Sequence, residues 1–162
     1  MKKKVQVIEF TKVALPYGWL GNMYSAPIRY DGKVWKTSEA LFQALRFDDF
    51  GIREIILNQK SPMGAKMKAK LNRNLMVIVP MSERDVKNMK LVVKMKFDQH
   101  PVLKSKLMLT GNNYLLENIG RRNGERHLFW GMKNVNEEWF GRNMMGEILM
   151  ELRAEYGKEK RS

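Results

Sequence analysis

Residues Trp35-Lys36-Thr37-Ser38-Glu39-Ala40-Leu41-Phe42-Gln43-Ala44-Leu45-Arg46-Phe47 constrain this chain more than any other stretch. Leu41, Phe42 and Leu45 recur at helical spacing and make an apolar stripe that needs a core to face. Thr37 stands where an N-cap belongs, with a hydroxyl able to accept a first-turn backbone N–H. Glu39, Gln43 and Arg46 are four and three residues apart, so a helix puts them on one ridge. A carboxylate, an amide and a guanidinium on one ridge can make a small-molecule site. The same residues also fit a solvated helix face with a first-turn Glu and an ordinary i,i+4 pair.

Around this stretch the composition is that of a globular chain, 44% apolar and 29% charged, and 162 residues suffice for one compact domain with a core. The absence of cysteine excludes disulfides, thiolate chemistry and Cys-based metal sites. The two histidines, His100 and His127, have no metal-ligand spacing, so neither a metal nor a cofactor is expected. The net charge of +13 attracts anions such as nucleic acid, nucleotides or sugar phosphates. The basic residues are scattered, with local runs at Lys2–Lys4 and Lys66–Lys70, so charge alone outlines no groove. The segment after Lys4 is too short and too polar for a signal peptide. No run approaches the roughly 20 apolar residues of a membrane span. No membrane partner is therefore expected, and a cytoplasmic location is.

Along the chain, Val5 to Phe10 reads as a short strand with Val5, Val7 and Phe10 as its apolar positions. Pro16 to Tyr24 is an aromatic-rich loop, suited either to wall a planar ligand or to pin itself to the core. Asp31-Gly32 between Ile28-Arg29-Tyr30 and Lys33-Val34-Trp35 signals a hairpin. A second helix is expected over Ile52–Asn58. Ser61-Pro62 then reads as N-cap and first residue of a short basic helix to about Leu71. Leu75–Val79 is strand-like. Ser82 starts the longest helix, with Val86, Met89, Val93 and Phe97 as its buried stripe, ending before Pro101. A short helix through Leu103 and Leu107, a short strand at Tyr114–Asn118 and a loop from Gly131 to Gly141 follow. The last helix runs from about Asn143 to Tyr156, with Met145, Ile148, Leu149 and Leu152 inward. The fold class is mainly α, or α+β with a small N-terminal β element. Residues 1–7 form a basic segment and first strand, 8–155 the domain and 156–162 a charged tail.

Three blocks together resemble the NADAR, or YbiA-like, family. They are Tyr17-Gly18-x-Leu20-Gly21-Asn22-Met23, then Trp35-x-Thr37-Ser38-Glu39-x-x-Phe42-Gln43-Ala44-x-x-Phe47, then a set from Lys96-Phe97 through Trp130-Gly131 to Gly141-x-Asn143-x-x-Gly146-x-x-Leu149-Met150-x-x-Arg153. The resemblance implies a single compact multihelical domain that cleaves an N-glycosidic bond between ribose and a nitrogen. Family branches act on ribosylamino-pyrimidine phosphates of the riboflavin pathway or remove ADP-ribose from modified guanine in nucleic acid. The chain departs from the pattern at Ala40 (usually His), Arg46 (Lys), Gly21 (Ser) and His127 (Asp), and it has no Trp near Pro80-Met81.

Breaking a ribosyl C–N bond builds positive charge on the sugar ring. Glu39 is the expected carboxylate beneath the anomeric carbon, and His127 the expected helper for the leaving nitrogen, with a loop histidine as the alternative. Trp130 and Tyr17 would stack on the base. Asn22, Gln43 and Asn143 would hydrogen-bond the substrate, and Arg46 would hold a phosphate. Trp35, Gly18 and Gly131 complete the expected binding set. Asn143 also fits a helix cap, and Trp130 a core residue. The positive field favours ADP-ribosylated nucleic acid as the substrate carrier. The alternatives are a free phosphorylated ribosyl-base compound and a non-catalytic module for ADP-ribose or nucleotides. No oligomeric state is implied.

Overall fold

The structure, a computed structural model, describes residues 4–161; Lys2 and Lys3 of the basic run and Ser162 of the tail lie outside the described residues. The elements are β1 (Val7–Phe10), a 3-10 turn (Gly18–Leu20), β2 (Ile28–Tyr30), β3 (Lys33–Trp35), α1 (Ser38–Ala44), α2 (Phe50–Leu57) and α3 (Pro62–Leu71). A second 3-10 turn (Arg73–Leu75), α4 (Glu83–Gln99), α5 (Pro101–Leu109), β4 (Tyr114–Glu117), α6 (Glu125–Trp130), β5 (Lys133–Val135), β6 (Glu138–Phe140) and α7 (Met144–Glu159) follow. Helix dominates, as the periodicity requires. The chain divides into two compact units, Asn22–His100 and the residues up to Gly21 together with those from Pro101 onward.

In the unit Asn22–His100, β2 and β3 pair antiparallel with Ile28 opposite Trp35. Asp31 and Gly32 both have positive φ, 50° and 72°, the tight turn that Asp-Gly favours. Helix starts follow local chemistry: Thr37 accepts from Ala40 N, Asp49 from Ile52 N, Ser61 from Gly64 N and Ser82 from Asp85 N. Asp49 therefore starts α2 at Phe50, two residues before the expected Ile52. Leu75–Val79 forms no strand. Val77 N–H bonds the carbonyl of Arg46 at 2.8 Å, and of its apolar residues Ile78 is buried while Leu75, Val77 and Val79 are exposed. A run that spends its backbone on a helix end has none left for a ladder. On α4, Met89, Val93 and Phe97 are buried as expected, Val86 only partly.

In the other unit, β1 pairs parallel with β4, Val7 opposite Tyr114 and Phe10 opposite Glu117. The inward residues of β1 are Ile8 and Phe10, whereas Val5 and Val7 are exposed. The alternation was expected with Val5 and Val7 as its apolar face; pairing with β4 settles the opposite register, because side chains alternate faces. The segment expected as a loop to Gly141 holds the β5–β6 hairpin, turning through Asn136 and Glu137, both at positive φ. No glycine marks that turn, so the usual signal is missing. The β structure is thus spread along the chain rather than gathered near the N-terminus. α7 buries Met145, Ile148, Leu149, Leu152 and Tyr156. No helix among the described residues is long and apolar enough to cross a membrane.

Candidate active site

Every residue of α1 is buried, the polar ones included. Seven residues do not hold a helix in water. α1 survives by packing against α2, α3 and α4, which leaves no face for solvent. The solvated-face reading of Glu39, Gln43 and Arg46 is therefore wrong, and buried polar groups need partners.

The partners form a chain. Gln43 Nε2 donates to Glu39 Oε1 at 2.8 Å, and Arg46 Nη1 donates to Gln43 Oε1 at 3.2 Å. Arg46 Nε and Nη2 grip Asp85 Oδ1 and Oδ2 at 2.8 and 2.7 Å, a bidentate pair with both side chains buried. The guanidinium also lies 4.6 Å from the centre of the Phe42 ring. Asp85 Oδ2 accepts in addition from Met81 N at 2.8 Å, at a residue held in the left-handed region with φ 66°. Arg46, expected to hold a phosphate, thus has its Nε–Nη2 edge on Asp85 and its Nη1 on Gln43.

Asn22 fixes the start of the same helix. Its carbonyl accepts from Glu39 N at 3.2 Å, its Oδ1 from Ser38 Oγ at 2.9 Å, and its Nδ2 approaches Met89 Sδ at 3.0 Å. With Thr37 holding Ala40 N, the N–H groups of Glu39 and Ala40, which an isolated helix would leave bare, have partners. The outcome is a carboxylate with one oxygen held. Glu39 Oε2 accepts from no group among the described residues, and it is absent from the fully enclosed unsatisfied atoms. That atom can meet a ligand or water.

Two residues of this unit escaped the sequence reading. Asp85 looked like an ordinary first-turn acid of α4, and only its tertiary contact reveals the grip on Arg46. Lys96 is 1% exposed, with its amine 5.7 Å from the Tyr24 ring centre and 5.3 Å from that of Phe97. Burial pushes its ammonium down to about 7. A signal existed: Lys96 follows Met89 and Val92 at seven and four residues, on the buried face of α4. Trp35 is buried, and its indole Nε1 is the single fully enclosed side-chain donor without a partner among the described residues.

Tyr17, Gly18, His127, Trp130, Gly131 and Asn143 belong to the other unit. Tyr17 is exposed beside Gly18, where a Cβ would lie 2.2 Å from the Val13 carbonyl. His127 and Trp130 are half-buried on α6; the His127 carbonyl accepts from Gly131 N at 2.8 Å, and Trp130 stands edge-on to Phe129 at 4.9 Å. A Cβ on Gly131 would meet the Glu117 carbonyl at 2.6 Å, so that glycine serves close packing. Asn143 precedes α7 in the left-handed region, φ 52°, and its side chain caps nothing. Oδ1 accepts from Glu117 N at 3.0 Å, and Nδ2 donates to the Leu115 carbonyl at 2.9 Å and to Tyr114 Oη at 3.2 Å. The helix-cap alternative thus fails, and the amide expected to bind substrate is occupied by β4.

Comparison with known proteins agrees with the motif pattern. The NADAR domain profile matches residues 9–156. N-glycosidase YbiA of Shigella boydii serotype 4 (strain Sb227) is 35% identical over 95% of this chain and 91% of that protein. N-glycosidase YbiA of Escherichia coli (strain K12) is 34% identical over the same shares. A riboflavin biosynthesis protein of Vibrio vulnificus (strain YJ016) is 30% identical over 93% of this chain but 38% of its own length. The solution NMR structure of E. coli YbiA matches with a TM-score of 0.80 at 32% identity, covering 97% of this chain and 88% of that one.

Proposed function

We propose a function from one premise: this chain belongs to the NADAR family. It is a hydrolase of N-glycosyl bonds that separates ribose from the nitrogen of a base. The observation carrying this reading is the buried carboxylate of Glu39, with Oε1 held by Gln43 and Oε2 left open. As the C–N bond breaks, its electron pair goes to the nitrogen and positive charge spreads over the ribose ring. A carboxylate fixed in a water-poor site stabilises that charge more strongly than one in bulk water. Glu39 Oε2 then takes the proton of the water whose oxygen bonds to the anomeric carbon. The departing nitrogen takes a proton, and the resemblance puts His127 forward as its donor. Stacking by Tyr17 and Trp130, and contacts from Trp35 and Gly18, rest on the same resemblance.

The substrate we favour is ADP-ribose on modified guanine in nucleic acid, because a net charge of +13 suits a polyanion. A cytoplasmic location goes with that reading. A second substrate, a ribosylamino-pyrimidine phosphate, is favoured by the likeness to the Vibrio riboflavin protein. A mass-spectrometric turnover assay with an ADP-ribosylated guanine oligonucleotide and a ribosylamino-pyrimidine phosphate separates the two. Cleavage of the oligonucleotide is expected, slowing with added salt and dropping about 10²–10⁴-fold in Glu39→Gln. His127→Ala is the second arm. No cleavage of either compound by folded protein would replace the hydrolase with a non-catalytic nucleotide-binding module.

A further inference from the structure

We infer that Asp85, Arg46 and Gln43 are positioning residues that fix the orientation of the Glu39 carboxylate, so that one oxygen position is held and the other is offered to substrate. The inference rests on the reading of Glu39 as the working carboxylate. A glutamine amide is ambiguous, since its oxygen and nitrogen can exchange places by a half-turn. Beside Glu39 the two orientations are opposite in effect: the NH₂ end holds the carboxylate, and the carbonyl end repels it. A guanidinium has donors and no acceptor, so Arg46 Nη1 can donate only to the carbonyl end of Gln43. The amide nitrogen must then face Glu39 Oε1.

Arg46 can impose that choice because it is itself immobile. Asp85 holds two of its nitrogens in a planar fork, and the Phe42 ring lies against its face. Asp85 is anchored in turn by Met81 N and by the first turn of α4. A lysine in place of Arg46 would also present only donors to the amide, but on a flexible stem without the fork that Asp85 grips, and would hold the amide less firmly. The chain of bonds ends at Glu39 Oε1, so the position of the other oxygen, which has no partner among the described residues, is fixed by the orientation of the carboxylate. Holding a reacting group this way lowers the entropy lost on reaching the transition state. It also explains why a buried ion pair lies beneath this helix: the pair acts on the site through an amide and touches no substrate.

Steady-state kinetics on the two substrates above, with Gln43→Met, Gln43→Glu, Arg46→Lys and Asp85→Asn, test the relay. Gln43→Met keeps the volume and should cut kcat by about 10²-fold while KM stays within about threefold. In Gln43→Glu the introduced carboxyl and Glu39 share one proton, as closely paired carboxyls do. Activity should then survive at low pH and fall as the shared proton leaves, an alkaline limb additional to the one that deprotonation of His127 sets in wild type. Unchanged kcat in Gln43→Met, or a Gln43→Glu profile of wild-type shape, overturns the relay. If wild type cleaves neither substrate, the functional reading fails separately and the Gln43 side-chain amide resonances decide. The relay stands if they are protected from exchange, shift in Glu39→Gln and lose protection in Asp85→Asn or Arg46→Lys. It falls if those substitutions leave them unmoved.

Discussion

Gln43 and Asn143 are both buried primary amides, 4% and 0% exposed, and they are used in opposite ways. Asn143 closes on its own surroundings: both ends of the amide bond the segment Tyr114–Glu117. Gln43 stands between a guanidinium and a carboxylate whose far oxygen has no partner among the described residues. The first arrangement joins the start of α7 to β4. The second ends at the Glu39 carboxylate, one oxygen of which has no partner among the described residues. Among buried polar groups of one type, the open end rather than burial marks the place where chemistry can occur.

The largest effect that would break this contrast lies beside Asn143. A Cβ at Gly146 would sit 2.1 Å from the Leu115 carbonyl, so Gly146→Ala should prevent folding, read as loss of a cooperative thermal transition. A folded Gly146→Ala protein would mean that β4 and α7 have slack. Asn143→Ala comes next. It strips partners from the Glu117 N–H and the Leu115 carbonyl, at about 1–3 kcal/mol for each group left unsatisfied. Denaturant unfolding should show that loss, while the folded fraction keeps its kcat. Glu39→Gln should do the reverse and leave the unfolding midpoint close to wild type.

Lys96 sharpens the contrast through pH. Its folded value of about 7 lies below the ordinary 10.5, so between these the unfolded chain binds more protons and stability rises with pH. Below about 7 the ammonium is buried at its full cost. Lys96→Met should therefore raise the melting temperature by several degrees at acidic pH and by progressively less toward pH 10, since a domain of this size moves roughly 2–4 °C per kcal/mol. Equal gains at both ends would mean that the amine is solvated. The smallest effect is at Trp35. Trp35→Phe removes a donor without a partner and should change stability by less than about 1 kcal/mol. A raised KM in that variant would put the indole N–H on the substrate.

Most of what acts locally was read correctly, although the Asp49 cap that starts α2 was missed. Thr37, Ser61 and Ser82 cap as their positions suggest, Asp31-Gly32 turns, and Pro101 separates two helices, because each signal acts within four residues. The order of the motif blocks was enough to place the chain in its family. Failures came where the deciding partner is distant. Leu75–Val79 has strand composition but no strand to meet, and β1 takes its inward face from β4. Asn136-Glu137 turns without the usual glycine. Arg46 was expected to hold a phosphate, and only the fold shows its fork on Asp85; Lys96 was read only as part of a motif block, and only the fold shows its amine buried.

The sequence by itself determined most of the helices, the caps at Thr37, Ser61 and Ser82, the β2–β3 turn and the family. It also placed Glu39, Gln43 and Arg46 on one ridge, since helical spacing is a property of the chain alone. Only the tertiary structure decided that the ridge is buried, that Asp85 fixes Arg46, and that Asn143 is closed while Glu39 is open. The reason is that a hydrogen-bonding group's role depends on which partners reach it, and at these residues the deciding ones come from other elements.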